Sequence, residues 1–427
     1  MLCIWPFFYN IFSTHHIASL EEQCVTLGLH TMSAPSPHHT LKQRSGGIMA
    51  IYRVILLLIF HSYVVMYINS SFIEQFIGNQ GVGAIYIIGS ALTVLIFLFI
   101  SQVLRKYGNY RITMLLIALN GAAVLGMSAA RSLETALPLF FIHIITLPLI
   151  LFNLDVFLEE LIGNKEGTTG SRRGLLLALS SFIGAVSPLL SGLIVDIGSF
   201  SAAYLLSAFT LIPVVMILTF HFRNFQDPKY SEIHLMSAIH SFWINYNIRF
   251  VFLAHLLLQV FFCFMVVYAP LYLATKIGLS WSEIGIILFA GQLAYVFFEY
   301  PIGFIADRYL GEKEVMAAGF LILAISTSWL SVISTALILP WIIIMFATRV
   351  GASLVEVTTE TYFFKHTKST DAQIISFFRI TRPLSYVFGA ALGGISLLYL
   401  PFNLMFVVFG FLMIAGIFFA ASIRDTK

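Results

Sequence analysis

Charge is what this sequence is short of. Only 10% of its 427 residues are Asp, Glu, Lys or Arg, while 59% are hydrophobic and 41 are Phe; soluble chains carry roughly 25% charged residues. Such a chain cannot cover a globular surface with polar groups, so lipid must be its solvent over most of its area. Cysteine is scarce too. Cys3, Cys24 and Cys263 have neither metal-ligand spacing nor a disulfide framework. There is no Gly-x-x-x-x-Gly-Lys-Ser/Thr phosphate loop, so direct drive by ATP is not expected. Neither His-Glu-x-x-His nor Gly-x-Ser-x-Gly occurs, which leaves an embedded enzyme without a motif. No cofactor and no metal are expected. A net charge of +3 is too small to argue for nucleic acid.

What is there is long apolar runs. A helix needs about 20 mostly apolar residues to cross a bilayer, and the runs do not alternate as barrel strands would. Twelve spans are expected, at about 51–74, 82–104, 110–130, 135–162, 173–196, 200–222, 249–275, 281–306, 314–334, 336–364, 372–396 and 400–423. The fold class expected is all-α membrane protein. Its parts are an N-terminal extension (1–48) containing the disorder-prone "SAPSPHHT", a six-helix bundle (49–222), a polar linker (223–248) and a second six-helix bundle (249–427). Basic residues set orientation. Eighteen of the 23 fall on the side of the termini and the linker, and two, Arg131 and Lys276, on the other. Both termini are therefore expected in the cytoplasm, with a plasma (inner) membrane of bacterial type as the setting.

The two halves repeat weakly. A shift of 201 positions lays Asp155 on Glu356, Glu159 on Glu360 and Gly192 on Gly393. A shift of 202 lays "SQVLRK" (101–106) on "GFIADR" (303–308), both between a half's second and third spans. The stretch "GFIADRYLGEK" resembles the signature turn of the major facilitator superfamily, Gly-x-x-x-Asp-Arg-x-x-Gly, with one extra residue, Leu310, before its last Gly. The first half holds a degraded copy, "SQVLRKYGNYR", in which Gly108 is kept and Arg105 stands where the family has Asp. The resemblance covers about residues 50–423 and implies a secondary transporter, two bundles around a cavity, and a gating turn built on Gly303, Asp307, Arg308 and Gly311, with Arg105 and Gly108 as its first-half counterparts. Gly303 is expected to let neighbouring helices approach closely. "GAVSPLLSG" resembles the glycine–proline stretch of the family's antiporters. It makes Gly184, Pro188 and Gly192 a candidate packing kink, matched in the eleventh span by "GAALG".

Ionisable residues inside spans are costly and face protein or water-filled space. Arg349, Ser353, Glu356 and Glu360 are spaced 0, 4, 7 and 11, one helical stripe, and Arg379, Arg382 and Tyr386 are spaced 0, 3 and 7, another. Glu356 and Glu360 lie at depths similar to Arg379 and Arg382, so ion pairing, static or switched, is expected among them. Glu299 reads as structural support. By the resemblance, the first, fourth, seventh and tenth spans line the cavity, which nominates His61, Asn153, Asp155, His255, Gln259, Arg349 and Glu356. Asp155 and Glu356 are the candidates for proton coupling, since a buried carboxylate can exchange a proton near neutral pH. The expected function is alternating-access transport of a small solute by a monomer, proton-coupled and leaning to efflux. A nutrient symporter or facilitator, and a transport-inactive receptor or scaffold, are the alternatives.

Overall fold

In the computed structural model, the described residues are 37–162, 166–228, 244–366 and 381–424; Arg379 and most of the linker lie outside them. Helices account for nearly all of these residues, and no strand occurs among them. The helices are α1 (Pro37–Met66), α2 (Asn69–Tyr107), α3 (Asn109–Ala129), α4 (Leu133–Ile162), α5 (Glu166–Phe222), α6 (Tyr246–Tyr272), α7 (Trp281–Ile305), α8 (Glu312–Trp329), α9 (Ile338–His366), α10 (Thr381–Tyr399) and α11 (Leu404–Ser422). Residues 1–46 form one compact unit and residues 47–427 another.

Among the described residues, eight stretches are long and apolar enough to cross a membrane. Two of these, Gly46–Tyr107 with 62 residues and Leu179–Phe222 with 44, would measure about 93 and 66 Å as straight helices at 1.5 Å per residue. That is two bilayer thicknesses or more. Each is broken by backbone that no helix contains: Tyr67–Ile68 form a turn, Gly78 has φ 71°, and Ser199 has φ 65°. Each therefore holds two passes, with Ser199 dividing α5 into a rising and a falling arm. The helices α8 and α10 are shorter, at 18 and 19 residues. They pack inside the same bundle and complete the two-bundle plan. Two expected boundaries are corrected. The first span ends at Met66 and not near 74, because the chain turns at Tyr67–Ile68. Its helix also reaches back to Pro37, into the stretch expected to be disordered; proline suits a helix's first position, where its missing N–H is not needed.

The first bundle joins α1 to α5 and the second α6 to α11. Large apolar side chains cover the outside, among them Leu95, Phe99, Phe209, Phe220, Phe411 and Phe418, each more than half exposed. Water would not tolerate this belt, and acyl chains require it. We call the side carrying the ends of α2, α7 and α11 the linker face, and the opposite side the far face.

The pseudo-repeat is visible in the turns. Gly108 (φ 83°, ψ 148°) ends α2, and Gly311 (φ 85°, ψ 158°) occupies the matching place between α7 and α8. Both need the positive φ that glycine adopts without a Cβ penalty. The extra residue of the second copy is absorbed by a single π turn, Ala306–Leu310, closed by Gly311 N–H donating to Ala306 O at 3.0 Å. A wider i→i+5 turn accommodates one inserted residue without shifting the helices on either side.

Candidate transport site

The two bundles meet along glycine seams at the far face. On α5, a Cβ at Gly192 would lie 2.1 Å from Trp281 O, and one at Gly285 of α7 would lie 2.7 Å from Pro188 O. On α2, a Cβ at Gly83 would lie 2.9 Å from both Ala390 O and Gly394 Cα of α10. Only residues without side chains permit this backbone contact. Tyr268 Oη also donates to Ala390 O at 3.0 Å, and Gly393 and Gly389 of "GAALG" pack on Tyr268 and Cys263 of α6. The Gly184–Gly192 stretch therefore supplies close packing. Its backbone stays helical through Pro188, and the break comes later, at Ser199.

A carboxylate pins the first seam. Asp196 of α5 accepts from Trp281 N–H at 3.0 Å and Ser282 N–H at 2.8 Å. Ser280 and Glu283 form a capping box on the same turn, so α7's first free N–H groups are satisfied half by its own box and half by the other bundle.

Towards the linker face the inner surfaces carry polar groups. Tyr63, Asp155, Gln292, Glu299, Glu356, Glu360 and Tyr386 are half-buried, and Arg382 is exposed. Arg382 is exposed one helical turn from Tyr386, which stacks on Tyr86 of the first bundle at 6.2 Å, and these inner surfaces form a candidate cleft. Arg382 lies within electrostatic range of Glu356 and Glu360 on α9, and also of Tyr63 and Asp155 of the first bundle. Glu356 has Glu360, Glu299, Arg382 and Arg349 around it. The expected pairing of Glu356 and Glu360 with Arg382 is thus a shared electrostatic neighbourhood for Glu356, with no direct ion pair for it among the described residues.

At the far end of this cleft, Gln292 Nε2 donates to Tyr67 Oη at 2.8 Å. Arg349 keeps 3% of its surface accessible, with its guanidinium 5.7 Å from the Phe261 ring centroid. His255 and Gln259 are buried beside it, with His255 Nδ1 3.3 Å from Thr359 Oγ1 and Nε2 3.3 Å from Gln259 Nε2. They join α6 to α9.

Several sequence candidates fall elsewhere. His61 does not reach the cleft. Its ring nitrogens sit 2.8 Å from Ser207 O and 2.9 Å from Asn120 Oδ1, in the first bundle's interior. Asn120 also donates to Thr146 Oγ1 at 2.8 Å and contacts His143, which reaches Asn69 and, through it, Tyr204. One polar network thus ties α1, α2, α3, α4 and α5 together. Asn153 is fully buried and accepts from Asn109 Nδ2 through its backbone carbonyl. The Asn153 side-chain amide has no hydrogen-bond partner among the described residues, and helical phase explains His61. On α1 the cleft face holds Tyr63 and Tyr67, an i, i+4 pair that sequence reasoning passed over. Gln292, Tyr295 and Glu299, spaced 0, 3 and 7 on α7, were equally legible as a stripe.

The gating turn is also modified. Gly303 meets Val357 at an ordinary 3.6 Å, so close helix approach does not require glycine there. Arg308 is exposed, with its guanidinium 5.6 Å from the Phe304 ring centroid, and the Asp307 side chain lies outside the described residues. The turn is tied to α9 by buried Glu312, whose Oε1 lies 2.5 Å from Lys365 Nζ. In the first half, where Arg105 replaces the family's Asp, another carboxylate caps α3. Asp227, just beyond α5, accepts from Asn109 N–H at 2.8 Å.

A helical chain with eight apolar spans among its described residues, packed through glycine seams at one face and carrying charged groups on its inner surfaces towards the other, has the architecture of a multi-pass membrane protein. Residues 250–427, the second half of the chain, match the model of the Major Facilitator Superfamily. The chain's fold is similar to that of the nucleoside transporter NupG (TM-score 0.69, 12% identity, 88% of this chain and 100% of that one). It is similar also to the POT family transporter PepTSo (0.71, 11%, 88% and 97%) and to a POT family transporter bound to a thioalcohol-conjugated peptide (0.69, 14%, 87% and 94%). No curated protein matches the chain in a sequence search.

Proposed function

We propose that this chain is a proton-coupled secondary transporter of a small solute, working by alternating access, with its termini and linker in the cytoplasm. The observation that carries the reading is the position of Arg382. It is exposed in the cleft, between Glu356 and Glu360 of its own bundle and Asp155 of the other. In the present arrangement the far-face seams are shut and Arg382 interacts more strongly with its own bundle's acids. When the bundles rock and the linker face closes, Asp155 moves towards Arg382 and competes for it. Glu356, crowded by Glu299 and Glu360, then takes a proton to restore charge balance. Among the described residues four carboxylates, Asp155, Glu299, Glu356 and Glu360, face Arg382 and Arg349, so the set carries excess negative charge that proton uptake offsets. The basic residues concentrated on the linker face favour the cytoplasmic assignment. Export is the direction proposed, carried by the Gly184–Gly192 stretch, whose packing on α7 limits leak at the far face.

The test is proton flux in proteoliposomes during a broad solute screen, comparing wild type with Glu356→Gln and Asp155→Asn. Solute-evoked flux that both variants lose supports the coupling scheme. Solute movement without protons makes the chain a facilitator and refutes it. No response to any solute favours the receptor or scaffold alternative. Running the screen in both vesicle orientations decides direction.

A further inference from the structure

The far end of the cleft holds a cation with nothing to serve. Arg349 stands 11 residues into α9, about 16 Å along the helix axis and so near the bilayer midplane. Its side chain is buried, yet it makes no hydrogen bond and no ion pair with any described residue. The face of Phe261 is its one ring contact. Glu356 lies two turns away on the same helix, within electrostatic range and not in contact. A buried guanidinium ordinarily has its five donors met by carboxylate or carbonyl oxygens, and inside a membrane that requirement is stricter. Gly291 of α7 packs on the Arg349 stem, a Cβ there standing 3.4 Å from Arg349 Cγ. The side chain is thus housed by the fold without being paired by it.

A second group beside it is in the same condition. Tyr295 is 8% exposed, and its buried hydroxyl has no hydrogen-bond partner. Arg349, Glu356, Tyr67 and Glu299 make up its electrostatic surroundings. One turn away, Gln292 is already committed to Tyr67. Two unmet donors of this kind, one of them charged, lie near each other on α9 and α7, among neighbours that are otherwise aromatic and acidic.

We infer that Arg349 and Tyr295 form an anion subsite, and that the transported solute bears a carboxylate or phosphate group bound there, its apolar body lying against the aromatic walls. This rests on the transporter reading above and names the chemistry of its cargo. The guanidinium fork suits either oxyanion bidentately, and the tyrosine hydroxyl supplies a further donor. Reserving Arg349 for the solute leaves Arg382 as the cation over which the coupling acids compete, so solute and proton occupy separate levels of one cleft.

The full-length chain, purified in detergent, is heated with benzoate, phenyl phosphate, benzylamine or neutral benzyl alcohol at matched concentrations. An anion that binds the folded state raises the melting temperature with concentration. Benzoate or phenyl phosphate is expected to stabilise wild type where benzyl alcohol and benzylamine do not, and the stronger of the two anions identifies the oxyanion. Arg349→Gln should weaken that response by at least about tenfold, Arg349→Lys by less, and Tyr295→Phe by a few-fold. Equal stabilisation by the alcohol, an undiminished response in Arg349→Gln, or no anion response at millimolar concentration overturns the inference. Should Arg349→Gln fail to fold, Arg349→Lys and Tyr295→Phe decide it. Anion binding retained in a chain that moves no solute refutes the transport reading alone; solute-evoked flux that is insensitive to Arg349→Gln refutes the anion subsite alone.

Discussion

Placing one methyl group at Gly192 should unlock the far face. The Cβ of Gly192→Ala would stand 2.1 Å from Trp281 O and 2.8 Å from Trp281 C, whereas carbon and oxygen normally rest more than 3 Å apart. Both opposing atoms are backbone, so no side chain can swing aside, and α5 must move from α7 by about 1 Å. Overpacking of this kind costs about 1–3 kcal/mol. In this protein the strain exists only while the seam is shut, so it shifts the balance of conformers as well as stability. At 1.4 kcal/mol per factor of ten, the far-face-closed population should fall by roughly 5- to 150-fold relative to the open one. Spin labels at Gln80 and Tyr399, exposed at the far face in the first and second bundles, would report it by pulsed EPR in a chain lacking Cys3 and Cys24. The distance distribution should lengthen in Gly192→Ala and recover when the conformer is forced by a far-face crosslink. An unchanged distribution with unchanged transport would show that the seam tolerates a Cβ, and would refute the reasoning from backbone contact.

Asp196→Asn should loosen the same seam more mildly. It keeps the shape and loses the charge at a helix N-terminus, worth about 0.3–1 kcal/mol. The label distances should lengthen in Asp196→Asn by less than in Gly192→Ala, and unchanged distances would show that the carboxylate does not hold the seam. Asn120→Ala strips partners from His61, His143 and Thr146 at once, and each buried group left unmet costs about 1–3 kcal/mol. Thermal unfolding should show a marked loss, while Asn120→Asp or Asn120→Gln loses less; a near-neutral Asn120→Ala would show that the network is not structural.

Composition and charge pattern decided a good deal. With a tenth of its residues charged, the chain had to be lipid-solvated, and the length of its apolar runs made it helical. The polar linker divided it, and the repeat of "GFIADR" on "SQVLRK" placed equivalent turns that prove to share a positive-φ glycine. These features are local, because run length, turn residues and helical stripes depend on neighbours in sequence. Helical phase relative to a distant helix does not. His61 is a polar residue in an expected cleft-lining span, but it points into the first bundle, while Tyr63, Tyr67 and Tyr295 take the inner surface. A glycine's need is equally non-local. Gly303 looks like a contact glycine and has ordinary room, whereas Gly192 and Gly83 touch backbone from the other half. Asp227 capping α3 and Asp196 capping α7 join residues more than 80 positions apart. Which carboxylate meets which free N–H is settled only when the helices pack, because the hydrogen bond depends on separation in space and the sequence records only separation along the chain.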